Sequence, residues 1–160
     1  MIEDGLIDST RMAVIAHSAG ARRANWLVAT RHQFRAVVSK EGWTDELHPT
    51  THPIEAYPLN RVYRHFGGTP EEVHENYLKN SALFHARGAS IPTLFLMGNP
   101  ELGGIDFSGS VRLFHDSIKA KGVTTEFIYY HNEGHVFEKP ENKLNALKRS
   151  QEWIDKHLSK

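Results

Sequence analysis

The stretch Met12-Ala-Val-Ile-Ala-His-Ser-Ala-Gly-Ala21 decides the fold, because its apolar run ends at a serine and a helix-compatible segment follows at once. A strand, one sharp turn carrying a serine and then a helix make up the arrangement called a nucleophile elbow. The turn strains the backbone of the serine, so the residues two before and two after it must be small. They are Ala16 and Gly20 here, whereas the usual pattern has glycine at both positions. The stretch therefore predicts a nucleophilic Ser18.

The elbow predicts two partners further along the chain, because a serine hydroxyl is a poor nucleophile until a base takes its proton. In chains with an elbow these partners follow in the order serine, carboxylate, histidine. Residues 127–130 are predicted to form a strand, and the loop after it carries Gly134 and His135. His135 is therefore the expected base. Glu133, on the same loop, either orients this loop or is solvated.

The carboxylate is expected between the serine and the histidine. Residues 93–97 are predicted to form a strand closed by Gly98, with Glu101 just beyond it and Asp106 a few residues later. The carboxyl ends of parallel strands share one rim of a sheet, where α/β proteins build their sites. An acid after this strand would lie on the same rim as the serine and the histidine, and either carboxylate fits.

With these residues in place, the chain resembles the C-terminal part of the catalytic domain of the prolyl oligopeptidase family of serine peptidases, which has an α/β-hydrolase fold. The resemblance covers nearly all 160 residues. It is strongest in four segments, residues 11–26, 77–84, 91–98 and 133–137. It implies a partial α/β-hydrolase fold with a mostly parallel sheet and flanking helices.

The resemblance also assigns roles to individual residues. It maps the nucleophile of the family onto Ser18 and the histidine onto His135. The acid, normally an aspartate three residues after the glycine that closes the strand, maps onto Glu101. Residues 102–106 depart from the family pattern by an apparent insertion, which keeps Asp106 as an alternative acid. The implied reaction is cleavage of short peptides or esters through an acyl-enzyme, with no cofactor.

The resemblance further implies how the oxyanion would be held. One donor is the backbone N–H of the residue after the nucleophile, here Ala19. The hydrolase domain of the family begins well before the part that residues 1–9 match, and the second donor comes from that earlier part. We therefore expect residues 1–160 to form a single α/β-hydrolase-like domain that lacks the usual N-terminal strands and carries one of the two donors.

Alternating strand and helix patterns predict a parallel sheet. Strands are predicted at residues 11–16, 34–39, 91–97 and 123–130, and helices at residues 19–30, 69–79, 110–121 and 140–158. Thr69, Pro70 and Glu72 form a helix-start pattern with a capping box. Gly122 predicts a left-handed helix end. The last helix has apolar residues near helical spacing, which predicts its buried face: Leu144, Leu147, Trp153, Ile154 and Leu158.

The first strand would have no neighbour on one side, because the family strands beyond it lie outside the resemblance. A bare apolar strand at a sheet edge promotes association. We therefore expect this edge to be covered by a second copy of the chain or by another polypeptide.

The composition argues against several function classes. Lysine plus arginine equals aspartate plus glutamate at 19 each, so charge favours neither nucleic acid nor an anionic membrane surface. The chain has no cysteine, which excludes disulfides and cysteine-ligated zinc. His48 and His52 are four residues apart, but Pro49 and Pro53 break the helix that would place them on one face. We expect no metal site.

The sequence also bears on location. No apolar run approaches the roughly 20 residues of a membrane span, and the first residues lack the basic start and apolar core of a secretory signal. We expect a cytoplasmic protein, or an extracytoplasmic one if the chain is trimmed from a precursor.

Two other functions stay open beside the serine hydrolase. A non-catalytic α/β-hydrolase fragment would keep the triad residues and act as a subunit or binding module, since the usual front strands are missing. An interaction domain with an incidental serine would require His135 to lie far from Ser18.

Trp26, inside a predicted helix, is expected in the core. Trp43, in the loop after the second strand, is expected either in the core or in contact with substrate.

Overall fold

Four parallel strands form the sheet that positions the site. The computed structural model describes residues 6, 8–51, 58–99 and 108–159. The strands are β1 (Ala13–His17), β2 (Ala36–Lys40), β3 (Thr93–Gly98) and β4 (Thr125–Tyr130). They lie side by side in the order β1-β2-β3-β4, and each neighbouring pair is parallel. Each connection must therefore cross from one end of the sheet to the other.

Helices fill these connections and cover both faces of the sheet. They are α1 (Ala19–Thr30), α2 (His48–Thr51), α3 (Leu59–Phe66), α4 (His74–Asn80), a 3₁₀ helix (Ala82–Gly88), α5 (Ser108–Ala120) and α6 (Pro140–Leu158). Phe95 of β3 packs on one face with α1, the 3₁₀ helix and α5. Leu94 packs on the other face with Trp153 of α6. Burial on both faces explains the continuous apolar run of this strand.

The parallel register brings the carboxyl ends of the strands to one rim. His17 at the end of β1 pairs with Lys40 at the end of β2, and Gly98 at the end of β3 pairs with Tyr130 at the end of β4. The turns that follow these strands therefore emerge next to one another. This rim is the place where the sequence predicted the site.

Most element predictions are confirmed. Helices α1 and α6 have the predicted bounds of 19–30 and 140–158, and each strand begins two residues later than predicted. The helix predicted at 110–121 spans 108–120. Gly122 after it has a φ of 85°, the left-handed conformation that its position predicted.

The helix predicted at 69–79 is wrong at its start, because α4 begins at His74. Half of the capping box does form, since the Glu72 carboxylate accepts the Thr69 N–H at 2.8 Å. The turn closed by Thr69 does not continue into a helix, because Val73 has φ −135° and ψ 42°. The capping residues Thr69 and Glu72 therefore form a separate turn that precedes α4.

The predicted buried face of α6 is also partly wrong. Leu144 and Leu147 are exposed, and the buried residues of this helix are Ala146, Ser150, Trp153 and His157. The helix is rotated so that small residues pack against the sheet over its first turns. The spacing of the leucines alone did not reveal this, because small residues can fill close-packed contacts as well as large ones.

Strand β1 lies at one edge of the sheet formed by the described residues, as predicted. Ile15 in its middle is 65% exposed. An apolar side chain of this size at an unpaired edge provides a surface for another chain segment.

Candidate active site

Ser18 occupies a strained turn between β1 and α1. Its φ of 57° and ψ of −125° lie in a region that residues with a Cβ rarely adopt, at a cost of about 1–3 kcal/mol. The turn is held on both sides: the Ser18 N–H donates to the Lys40 carbonyl at 2.9 Å, and the Ser18 carbonyl accepts the Arg22 N–H at 3.0 Å. The neighbouring strand and the first helical turn therefore fix the direction of the serine side chain.

The small residues that flank the turn face each other. A Cβ built on Gly20 would lie 3.8 Å from the Cβ of Ala16, an ordinary contact. Alanine therefore fits at both positions. This explains why Ala16 is compatible with the turn although the usual pattern has glycine there.

The structure brings Ser18 and His135 together. The Nε2 atom of His135 lies 3.0 Å from the Oγ atom of Ser18, across 117 positions of sequence. A neutral imidazole whose Nε2 carries the lone pair accepts the serine hydroxyl proton at this distance. The pair has the geometry of a nucleophile and its base.

His17, next to the serine, supports the histidine loop. Its Nε2 atom lies 3.0 Å from the backbone carbonyl of His135, and because a carbonyl only accepts, the imidazole donates this bond. The two rings are 4.9 Å apart between centroids. Burial lowers the pKa of His17, more than the hydrogen bond to the His135 carbonyl raises it. A neutral His17 with its proton on Nε2 therefore holds the loop in place.

Gly98 at the end of β3 lets the histidine loop approach closely. A Cβ at this position would lie 2.5 Å from the Gly134 carbonyl oxygen and 2.6 Å from that of Glu133. The next residue, Asn99, donates its N–H to the same Glu133 carbonyl at 2.5 Å. Any side chain at Gly98 would push the histidine away from the serine.

Glu133 is buried and joins the histidine loop to the start of α6. Its carboxylate accepts the N–H of Glu138 at 2.6 Å, the N–H of Lys139 at 3.1 Å and the side-chain amide of Asn142 at 2.8 Å. Burial raises its pKa, but these hydrogen bonds lower it more, so the pKa falls below the ordinary glutamate value. Of the two roles considered for this residue, the solvated one is wrong and the orienting one fits.

The two acids predicted from the sequence, Glu101 and Asp106, lie outside the described residues. Another carboxylate lies beside the histidine: the Oε2 atom of Glu41 is 3.5 Å from the Nδ1 atom of His135. Sequence reasoning missed Glu41. The signal that was present is its place directly after β2, one residue beyond the strand that neighbours the elbow strand.

Ala19 is the first residue of α1, so its N–H has no acceptor within the helix. The helix N-terminus carries a partial positive charge that favours a nearby anion. This placement suits the oxyanion role that the resemblance implies for Ala19.

Trp43 lies in the core, the first of the two placements expected for it. It is buried, and its indole N–H donates to the Glu46 carboxylate at 3.2 Å. Glu46 also pairs with Arg22 at 2.5 Å. Burial raises the pKa of Glu46, while Arg22 opposes this rise. Trp26 also packs partly buried against the core, as predicted.

No cluster of three histidine or acidic side chains that could hold a metal ion is found among residues 8–51, 58–99 and 108–159. None of the helices in the described part of the chain is long and apolar enough to span a membrane.

Comparisons with known sequences extend over the whole chain. The model of the prolyl oligopeptidase family matches residues 1–160. Acylamino-acid-releasing enzyme 1 of Oryza sativa subsp. japonica is 24% identical over 168 residues, which cover 100% of this chain and 21% of that protein.

Solved structures share the fold. The acylaminoacyl peptidase of Pyrococcus horikoshii matches with a TM-score of 0.82 and 21% identity, over 99% of this chain and 27% of that one. A puromycin hydrolase matches with a TM-score of 0.84 and 22% identity, over 98% of this chain and 23% of that one. The fold is thus that of α/β-hydrolase peptidases, and the chain spans about a fifth to a quarter of the length of these relatives.

Proposed function

The chain belongs to the prolyl oligopeptidase family, and we propose that it carries the nucleophile and base of a serine hydrolase that works through an acyl-enzyme. The observation that carries this proposal is the 3.0 Å contact between Ser18 Oγ and His135 Nε2 at a strained turn. A strained non-glycine residue at a strand end, with a base within reach of its hydroxyl, is the signature of an activated nucleophile.

The proposed reaction proceeds in two acyl transfers. Ser18 Oγ attacks a carbonyl carbon while His135 Nε2 takes its proton, and the imidazolium then gives that proton to the leaving amine or alcohol. Water, deprotonated by the same nitrogen, attacks the acyl-enzyme and releases the acid together with a regenerated serine. The Ala19 N–H at the start of α1 stabilises the oxyanion of each tetrahedral intermediate.

A carboxylate completes this arrangement by holding the imidazole tautomer and stabilising its charged form. The resemblance assigns this role to Glu101, with Asp106 as the alternative. The position of Glu41 beside His135 makes it a third candidate.

The substrates we propose are short peptides, aminoacyl amides or small esters. The names of the relatives refer to acylated amino acids and to puromycin. Family membership favours a peptidase of the prolyl oligopeptidase type, and an acyl-enzyme mechanism handles esters by the same steps.

The test is Ser18→Ala, with Ser117→Ala on α5 as its matched control. Ser117 bonds only locally, donating its hydroxyl to the Leu113 carbonyl at 2.7 Å. We expect Ser18→Ala to lose labelling by a fluorophosphonate probe and to lose at least about 10,000-fold in turnover of an activated ester and an aminoacyl amide. The control should keep both. Equal labelling of the two variants would remove the proposal.

A second candidate, a subunit or binding module without catalysis, is favoured by the exposed apolar edge of β1. We propose that a second copy of the chain or another polypeptide covers this edge. Full probe labelling of the purified chain argues against the non-catalytic function. A monodisperse monomer in light scattering at high concentration argues against the covered edge.

A further inference from the structure

We propose that Glu41 is the carboxylate that positions His135, in place of the two acids that the sequence indicates. The proposal rests on the serine hydrolase function and concerns how its base is held. Glu41 does not reach the reacting atoms, so it is a positioning residue that acts through the imidazole.

The topology places Glu41 directly behind the serine–histidine pair. It follows the end of β2, as Ser18 follows the end of β1, and the register pairs the two preceding residues, His17 and Lys40. Its backbone N–H donates to the Leu96 carbonyl of β3 at 3.0 Å. Glu41 is therefore held between the elbow strand and the strand that supports the histidine loop.

The two carboxylate oxygens have separate tasks. Oε1 accepts the backbone N–H of Gly98 in a short hydrogen bond, which fixes the orientation of the carboxylate. Oε2 lies 3.5 Å from His135 Nδ1. Glu41 is 3% exposed, so water does not replace either contact. The carboxylate is anchored on one side and directed at the imidazole on the other.

The histidine nitrogen needs this partner. In the described part of the chain, His135 Nδ1 is buried and makes no hydrogen bond. An unsatisfied buried donor is costly, and Glu41 is the carboxylate at hand. Catalytic hydrogen bonds are often long without substrate and tighten when it binds. A movement of roughly half an ångström would bring these atoms to hydrogen-bonding distance.

The backbone at Glu41 adds a second argument. Among the described residues, Ser18 and Glu41 are the two non-glycine residues with positive φ, at 57° and 53°. Glycine adopts this conformation without strain. A glutamate at such a position requires side-chain contacts that offset the strain, and strained residues cluster at functional sites.

The chemistry follows from which nitrogen bears the proton. A carboxylate at Nδ1 accepts its proton and leaves the lone pair on Nε2, which faces Ser18. When the serine proton moves to Nε2, the Glu41 carboxylate stays ionised and stabilises the imidazolium. Glu41→Gln would keep the bond from Gly98 through its oxygen and turn its NH₂ group toward Nδ1. Nδ1 would then accept, and the proton would reside on Nε2, the wrong tautomer for a base.

The experiment compares Glu41→Gln with Glu101→Gln and Asp106→Asn, using ester turnover and circular dichroism. We expect Glu41→Gln to lose about 100- to 10,000-fold in kcat with a small change in KM. The other two should stay within about threefold. All three variants keep the two neighbouring basic residues unchanged. The ring of His17 lies 4.9 Å from that of His135, and Lys40 interacts electrostatically with Glu41.

Two readouts separate positioning from a merely structural role. The acid limb of the pH–kcat/KM profile should move to lower pH in Glu41→Gln, because the lost carboxylate no longer stabilises the imidazolium. Nitrogen-15 spectra of the imidazole should show the Nδ1–H tautomer in the wild type and Nε2–H in Glu41→Gln. The same tautomer in both proteins would overturn the proposal.

The outcomes separate this proposal from the proposed function. If Ser18→Ala abolishes turnover while Glu41→Gln keeps it, the hydrolase stands and Glu41 is not its acid. If Ser18→Ala changes nothing, the proposed function itself fails. If Glu41→Gln does not fold, the other two variants decide: a loss of about 100-fold or more in either overturns the role of Glu41, and retained activity in both supports it.

Discussion

The turn after β1 and the turn after β2 each contain a non-glycine residue with positive φ, but the two side chains lie in different surroundings. Ser18 is partly exposed and opens helix α1, whereas Glu41 is buried and leads into an irregular loop. Ser18 contacts the Nε2 atom of the imidazole, and Glu41 lies beside its Nδ1 atom. In the proposed site, strain at a strand end therefore serves to present a nucleophile in one turn and to direct a buried carboxylate in the other.

Among the variants that keep Ser18, Glu41 and His135, Gly98→Ala should have the largest effect, because the added Cβ clashes with the loop that carries His135. Its Cβ would lie 2.5 Å from the Gly134 carbonyl oxygen. We expect a displacement of His135 that lowers kcat/KM by about 100-fold in ester assays. Gly109→Ala on α5 is the control, since among the described residues nothing outside its own helix lies within 4 Å of the added Cβ. Equal activity of the two variants would show that the loop tolerates the shift.

Gly42→Ala and Gly20→Ala compare the packing of the two turns directly. A Cβ on Gly42 would lie 2.7 Å from the Ala21 Cβ and 2.9 Å from backbone atoms, whereas one on Gly20 meets Ala16 at 3.8 Å. Urea denaturation should show a loss of about 1–3 kcal/mol in the free energy of unfolding for Gly42→Ala. Gly20→Ala should be neutral or stabilising by up to about 1 kcal/mol. The reverse order would contradict the structure at these turns.

Glu133→Gln tests how the loop of His135 is attached to α6. Hydrogen bonds lower the pKa of Glu133 below its ordinary value of 4.5 despite burial, so the ionised carboxylate stabilises the fold above that pH. This stabilisation is lost as the pH falls through the lower folded-state value. In urea titrations the deficit of the variant should be full near about pH 7 and should shrink below about pH 4. A deficit independent of pH would contradict the role of the charge.

His17→Phe should lower activity less than Gly98→Ala, because the ring contact with His135 is kept and only one hydrogen bond is lost. That bond is worth about 1 kcal/mol, so kcat/KM should fall by about three- to tenfold. His32→Phe is the control, since His32 contacts Ser90 instead of the rim. Activity equal to that of the control would mean that the His135 loop is held without His17.

The confirmed predictions rest on local sequence patterns. The apolar run before Ser18, the small residues around it and the positive φ of Gly122 all depend on neighbours within a few positions. The same kind of reasoning was wrong for Thr69 and Leu147. Their positions depend on how a turn and a helix pack against the rest of the molecule.

The sequence by itself determined the elbow, the alternating strands and helices of a parallel sheet and the position of the late histidine, because each depends on spacing and residue type along the chain. Only the tertiary structure showed that the Glu41 carboxylate lies beside His135, that Glu133 is buried and that Trp43 is part of the core. Those outcomes depend on distances between strand ends and loops far apart in sequence. The parallel register sets these distances, and no local pattern encodes them.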